Sequence, residues 1–217
     1  MSVTQLVPPA VVRSRFEAAC SALADGGPIV LAPDGGAAPI GNLVALAHLL
    51  SADEVNRMVT HGRGLVRVVV TDADCARLQL RRQGSQAHPH LPNGEDHLAS
   101  VEARSGCSTG ISAADRAHTI RVAATAPGAD ALVTPGHVVP VLAAAGGVFE
   151  RRGAPEAALA LGRHAVPRWP MPALCHVLDA RGAPAGATEL EALAAALGAP
   201  LVSIREVARV LELELWG

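Results

Sequence analysis

The chain has 217 residues, enough for one large domain or two small ones with a substantial buried core. Half of the residues are apolar and the formal net charge is −2, which argues against a general attraction to nucleic acid or anionic lipid. No apolar run reaches the ~20 residues of a membrane span, and no basic region followed by an apolar one opens the chain, so a soluble, cytoplasmic protein is expected.

Residues 1–12, with Pro8-Pro9, read as a loose N-terminal arm. Phe16 to Leu23 has apolar residues at helical spacing and stops at Asp25-Gly26-Gly27. Pro28 to Ala32 is a short apolar run bounded by Gly and Pro, the mark of a buried strand. Pro33 to Asn42 holds too much Gly and Pro for regular structure, and Asp34 is its only charge. After the apolar Leu43 to Leu50, Ser51 with Asp53 and Glu54 opens a helix that buries Val55, Met58 and Val59. Leu65 to Thr71 is a β-branched strand and Asp72 to Leu80 a short helix.

Arg81 to His97 is polar and irregular. His88, His90 and His97 suggest a metal group, but no acidic or cysteine partner is seen at ligand spacing, and a solvated mobile loop is the better reading. Leu98 to Glu102 returns as a strand, Ser112 to Thr125 is a helix, and Ala131-Leu132-Val133 leads to a turn at Gly136-His137. Pro155 to His164 is helical, Ala173 to Leu178 a strand, and Thr188 to Leu197 a helix stopped by Gly198. Leu201 to Ile204 closes as a strand and Arg205 to Leu215 as a helix. No repeat or linker divides the chain, and strands and helices mix without strict alternation. Residues 1–217 therefore read as a single compact α+β domain with a mixed sheet.

The chemistry is concentrated between Gly106 and Glu156. Gly106-Cys107-Ser108-Thr109-Gly110 offers hydroxyls and backbone N–H groups to an anion, and Ser112-Ala113-Ala114-Asp115-Arg116 starts a helix. Gly136-His137 brings a titratable group, and Arg151 after Gly146-Gly147 brings a fixed cation. Hydroxyl, imidazole and guanidinium together suit a small phosphorylated molecule. The chain has no lysine and no tyrosine, which excludes Schiff-base chemistry on lysine and leaves arginine as the source of fixed positive charge. Cys20, Cys75, Cys107 and Cys175 are too scattered for a disulfide or zinc framework and read as reduced thiols.

The order of these motifs resembles the 3,4-dihydroxy-2-butanone 4-phosphate synthase family, whose pattern runs close to G-V-T-T-G-x-S-A-A-D-R, R-P-G-H-V-x-P-L and A-G-G-V-x-x-R-x-G-H-T-E. His61-Gly62-Arg63-Gly64 matches the family's H-G-x-G, and the resemblance covers roughly Phe16 to Val207. It implies a homodimer and a reaction that turns ribulose 5-phosphate into 3,4-dihydroxy-2-butanone 4-phosphate and formate. It also implies His137 as a catalytic residue and Ser108, Thr109, Asn42, Arg151, Arg152 and Gly153 as contacts to a phosphorylated substrate.

Three departures accompany the resemblance. The family's acidic loop, close to D-D-E-D-R-E-N-E-G-D, is replaced by Pro33 to Asn42, with Asn42 at its final aspartate. Its G-H-T-E becomes Gly153-Ala154-Pro155-Glu156, and its C-E-L becomes Cys175-His176-Val177. Two magnesium ligands are thereby replaced by groups without a lone pair for a hard cation. The expectation is a divergent member with no metal cofactor, in which His137 and His176 move protons on a sugar-phosphate-like substrate. The alternatives are a non-catalytic binding or regulatory relative and a working synthase.

Overall fold

The structure, a computed structural model, describes residues 8–35, 39–83 and 95–216. Most of the expected arm (residues 1–7), Gly36-Ala37-Ala38 of the replaced loop, and His88 and His90 lie outside the described residues.

Helix α1 (Pro9–Ala24) has proline in its first turn, where the missing N–H removes no helical bond. It starts inside the segment expected to be loose, because Val12 and Phe16 already bury in the core. Strands β1 (Ile29–Ala32) and β2 (Asn42–Leu46) follow, then α2 (Ala52–Gly62), capped where the Glu54 amide donates to Ser51 Oγ at 3.0 Å. Next come β3 (Arg63–Val70) and α3 (Asp72–Leu78), the latter started by a Thr71–Asp74 capping box. The short strands β4 (Asp96–His97) and β5 (Val101–Ala103) precede α4 (Ala113–Thr125), β6 (Leu132–Leu142) and α5 (Ala154–Ala165). The chain ends with β7 (Pro172–Val177), α6 (Ala187–Leu197), β8 (Leu201–Ser203) and α7 (Ile204–Trp216).

The sheet runs β4-β6-β3-β7-β2-β1-β8, with β5 paired to β6. The β3/β6 and β1/β8 pairs are parallel and the others antiparallel, so this is the mixed sheet of an α+β domain. Alternation along each strand sends side chains to two cores. On one face Val66, Val68 and Val70 pack with Met58, Ile120 and Leu190 of α2, α4 and α6. On the other, Leu31, Val69 and Leu174 pack with Phe16, Leu161 and Val207 of α1, α5 and α7.

Two close approaches of bare backbone shape the sheet. A Cβ on Gly64 would lie 2.5 Å from His176 Cβ and 2.7 Å from its carbonyl oxygen, so a glycine there lets β3 pass β7. The turn expected at Gly136-His137 is instead part of the long β6. Its register to β5 breaks there: Val101 faces Val138 while Glu102 faces Val133. A Cβ on Gly136 would collide with the Val101 backbone, which is how the irregular stretch fits against β5.

All four cysteines are free, with Cys175 buried and the other three half-buried. Burial pushes the thiols of Cys20, Cys75 and Cys175 up to about 11. Among the described residues no helix is long and apolar enough to cross a membrane.

Leu174 is fully buried at the sheet centre, paired with Val44 of β2 and Arg67 of β3. Leu174→Ala should lower the free energy of unfolding by about 2–5 kcal/mol in a denaturant titration, because the surrounding sheet cannot collapse onto the cavity.

Candidate active site

The register break in β6 presents His137 beside α4 and β5. Its Nδ1 lies 2.6 Å from Glu102 Oε2, and Glu102 Oε1 accepts the Thr119 hydroxyl at 2.9 Å. Thr119 Oγ1 in turn accepts the Ala103 amide at 3.1 Å. A carboxylate oxygen accepts here, so Nδ1 carries the proton of this bond, and in the neutral ring the lone pair is on Nε2. The ring is 43 % exposed while Glu102 is nearly buried, which is the geometry of an oriented proton acceptor. Glu102 escaped the sequence reading; the available signal was a lone acid in a short apolar strand.

The neighbouring loop is used differently from the expectation. The Ser108 and Gly110 amides each donate to Asp115 at 3.0 Å, and the Ser108 hydroxyl donates to it at 2.8 Å. A carboxylate of the same chain thus receives the donors that were read as facing a phosphate. Hydrogen bonding from the Ser108 amide and hydroxyl, reinforced by Ser112 and Gly110, holds Asp115 at about 2, below its ordinary 3.8. Thr109 is exposed at the loop tip, and a Cβ at Gly110 would strike Glu102 and His137.

A second cluster lies on the sheet face that carries α1, α5 and α7. Arg67, with no exposed surface, donates from one terminal nitrogen to Glu95 and from the other to Asn42 Oδ1 at 2.6 Å. Asn42 Nδ2 donates to the Ile40 carbonyl at 3.2 Å. The Asn42 amide, expected to meet a substrate, is therefore tied to protein groups at both ends. Glu95 also bonds His97 Nε2 at 3.2 Å. Burial alone would raise Glu95, but the His97 hydrogen bond and the Arg67 charge outweigh it and hold the carboxyl at about 2.

His176 pairs with Asn42 across β2 and β7 and belongs to this second cluster. Burial, and then the Arg67 charge, push its imidazole down to about 4, so it is neutral and a weak base near pH 7. Its Nε2 is buried without a hydrogen-bond partner among the described residues. That chemistry fits poorly with the proton-moving role expected for His176. His137 and His176 sit in separate clusters, and the groups that act electrostatically on His176 are Arg67, Glu95 and His97.

Glu95, the partner of Arg67, also lines a cleft of about 90 Å3, together with Asp34, Gly35, Arg151, Arg152 and Gly153, among others. The structure thus brings Arg151, Arg152 and Gly153 together, but on a different surface from Ser108, Thr109 and His137. Arg151 donates to Glu156 Oε1 from Nε and from a terminal nitrogen, at 2.8 and 2.5 Å, and to the Leu142 carbonyl at 2.6 Å. Arg152 is half-exposed and loosely held, 3.5 Å from Asp34 and 3.2 Å from Glu212.

Residues 17–210 match the sequence profile of the 3,4-dihydroxy-2-butanone 4-phosphate synthase family. The chain belongs to this family. It is 38 % identical over 203 residues to the 3,4-dihydroxy-2-butanone 4-phosphate synthase of Rhodospirillum rubrum, covering 93 % of this chain and 94 % of that one. The fold is similar, at a TM-score of 0.84 and 28 % identity, to a 3,4-dihydroxy-2-butanone 4-phosphate synthase in complex with two magnesium ions, covering 90 % of this chain and 96 % of that one. It is also similar to a two-domain 3,4-dihydroxy-2-butanone 4-phosphate synthase from A. baumannii, at a TM-score of 0.82 and 32 % identity. There the match covers 89 % of this chain and 56 % of the longer one, so the chain spans just over half of that protein.

The magnesium complex corrects the expectation of a family member with no metal cofactor: magnesium binding is a property of synthases of this fold. The cleft's carboxylates, Asp34 and Glu95, and Glu156 behind Arg151 do not, as placed, compose a site for a hard cation. Asp34 is taken by Arg152 and Arg205, Glu95 by Arg67, and Glu156 by Arg151. Among the described residues no three His, Cys, Asp or Glu side chains converge to hold an ion.

The Asp115 cap gives a pH prediction. Its carboxyl is lowered by folding, so the stability it contributes is complete above the unfolded value near 3.8 and is lost as pH falls through about 2. Asp115→Asn should melt below the wild type at pH 7, and the gap between their melting temperatures should close between about pH 4 and 2.

Proposed function

We propose that this chain is a lyase-type enzyme that acts on a small phosphorylated sugar, with proton transfer at His137 Nε2. The observation that carries this reading is the Thr119–Glu102–His137 chain. It fixes one tautomer, exposes a lone pair, and supplies a carboxylate to stabilise the imidazolium formed on proton uptake. Family membership supports ribulose 5-phosphate as the first substrate to test, with formate and 3,4-dihydroxy-2-butanone 4-phosphate as products. Removal of a proton next to the substrate carbonyl is the step we assign to His137. Arg152, half-exposed in the cleft, and Gly153 beside it are the groups we assign to the phosphate, with Arg151 behind them. Since they lie on a different surface from His137 of the same chain, the substrate is read as lying between the cleft of one copy and His137 of a second. His176, held neutral, is assigned a polar contact and not the proton transfer.

A second reading, a non-catalytic relative, is favoured by one observation: the Ser108 loop, the buried Arg67 and the cleft's Arg151 and Arg152 already hold carboxylates of the same chain. Formate release from ribulose 5-phosphate, measured with and without added magnesium, separates the two. The expected outcome is turnover that falls on the order of 10²–10⁴-fold in His137→Asn, as for loss of a positioned general base, with a smaller fall in Glu102→Gln. Neither formate nor solvent deuterium appearing in recovered sugar phosphate would leave the binding reading standing.

A homodimer belongs to the same proposal. Ile111, beside the Ser108 loop, and Phe149, two residues before Arg151, are large apolar side chains left more than half exposed, and a second copy would cover them. Light scattering should give twice the 22.1 kDa chain mass, and Ile111→Asp with Phe149→Asp should return it to one.

A further inference from the structure

Arg67 belongs to the cleft cluster but to none of the family motifs. It interrupts the apolar run Leu65-Val66-Arg67-Val68-Val69-Val70, has no exposed surface, and points its fork at Glu95 and Asn42. Among the described residues its Nε is buried without a hydrogen-bond partner, as is His176 Nε2. Glu95 lies between this cation and the open cleft, because it binds Arg67 on one side and lines the cleft on the other. An anion entering beside Arg151 and Arg152 therefore meets a carboxylate that stays ionised, and like charges at that range oppose its binding.

We propose that Arg67 is an oxyanion seat of the substrate cleft, occupied in the free protein by Glu95, and that a phosphoryl group of the ligand takes this seat by displacing the Glu95 carboxylate. Glu95 is then an internal competitor that sets the affinity and the charge preference of the cleft. The guanidinium fork suits a phosphoryl group as well as a carboxylate, since both present paired oxygens. Arg67 has its whole side chain withdrawn from water, unlike Arg151 and Arg152, and there a charge-assisted hydrogen bond is least weakened by solvent. The proposal rests on reading the cleft as the phosphate end of the sugar-phosphate site, but its test does not require turnover.

The probe is inorganic phosphate, titrated by calorimetry into the full chain. Glu95→Gln keeps a hydrogen-bonding side chain but leaves Arg67 without its counter-ion, and it should bind phosphate at least tenfold more tightly than the wild type. Combining it with Arg67→Met removes cation and anion together, keeps the floor neutral, and should abolish the gain. In the wild type labelled with 15N-arginine, the buried Arg67 Nε–H should shift as phosphate is added, a readout that does not depend on how well either variant folds. Phosphate binding unchanged in Glu95→Gln, equal in the single and double variants, or without effect on the Arg67 signal at saturation would each overturn the proposal. A wild type that releases no formate, together with a Glu95→Gln variant that binds phosphate tightly, would instead remove the catalytic reading and keep the anion seat.

Discussion

A guanidinium withdrawn from water in the middle of a sheet is the constraint around which this end of the molecule is arranged. An unpaired buried cation costs several kcal/mol, so the chain must bring it partners wherever they lie in sequence. Asn42 arrives from β2 and Glu95 from the approach to β4, which ties three strands to one side chain. The same charge helps keep His176 on β7 neutral and, with His97, holds Glu95 ionised. Gly64 completes the arrangement by leaving room for His176 against β3.

The second centre depends on a break in regularity. Had β6 kept its register to β5, His137 would follow the ordinary alternation of the strand. Four residues of β6 between Val133 and Val138 have no partner in β5, and His137 ends this stretch, where it meets Glu102. The two centres are electrostatically unlike. One is an oriented imidazole with a carboxylate behind it, suited to taking a proton. The other is a set of arginines, each neutralised by an acid, suited to exchanging one anion for another.

Much of the fold was legible because its signals are local. Ser51 and Ser112 cap the helices that their positions announced, Gly198 ends α6 in left-handed backbone, and the β-branched run after Gly64 is β3. The start of α1 was misjudged, since Pro8-Pro9 suggests a loop and the burial that makes residues 9–12 helical comes from α5 and α7. The site was legible in its motifs and not in its pairings. Ser108 and Arg151 were found, but their partners Asp115 and Glu156 were not seen as competitors for the same donors. Arg67 was passed over although a charge inside an apolar strand is itself a warning, because its partners lie 25 and 28 residues away.

The strand order has a consequence for how this molecule behaves in crowded solution. The outermost strands of the sheet, β4 and β8, are two and three residues long. Such brief stretches expose few unsatisfied peptide groups, and they give a stray extended segment little ladder on which to grow. Among the described residues, the margins of the sheet therefore disfavour fibrous association in a chain half apolar in composition.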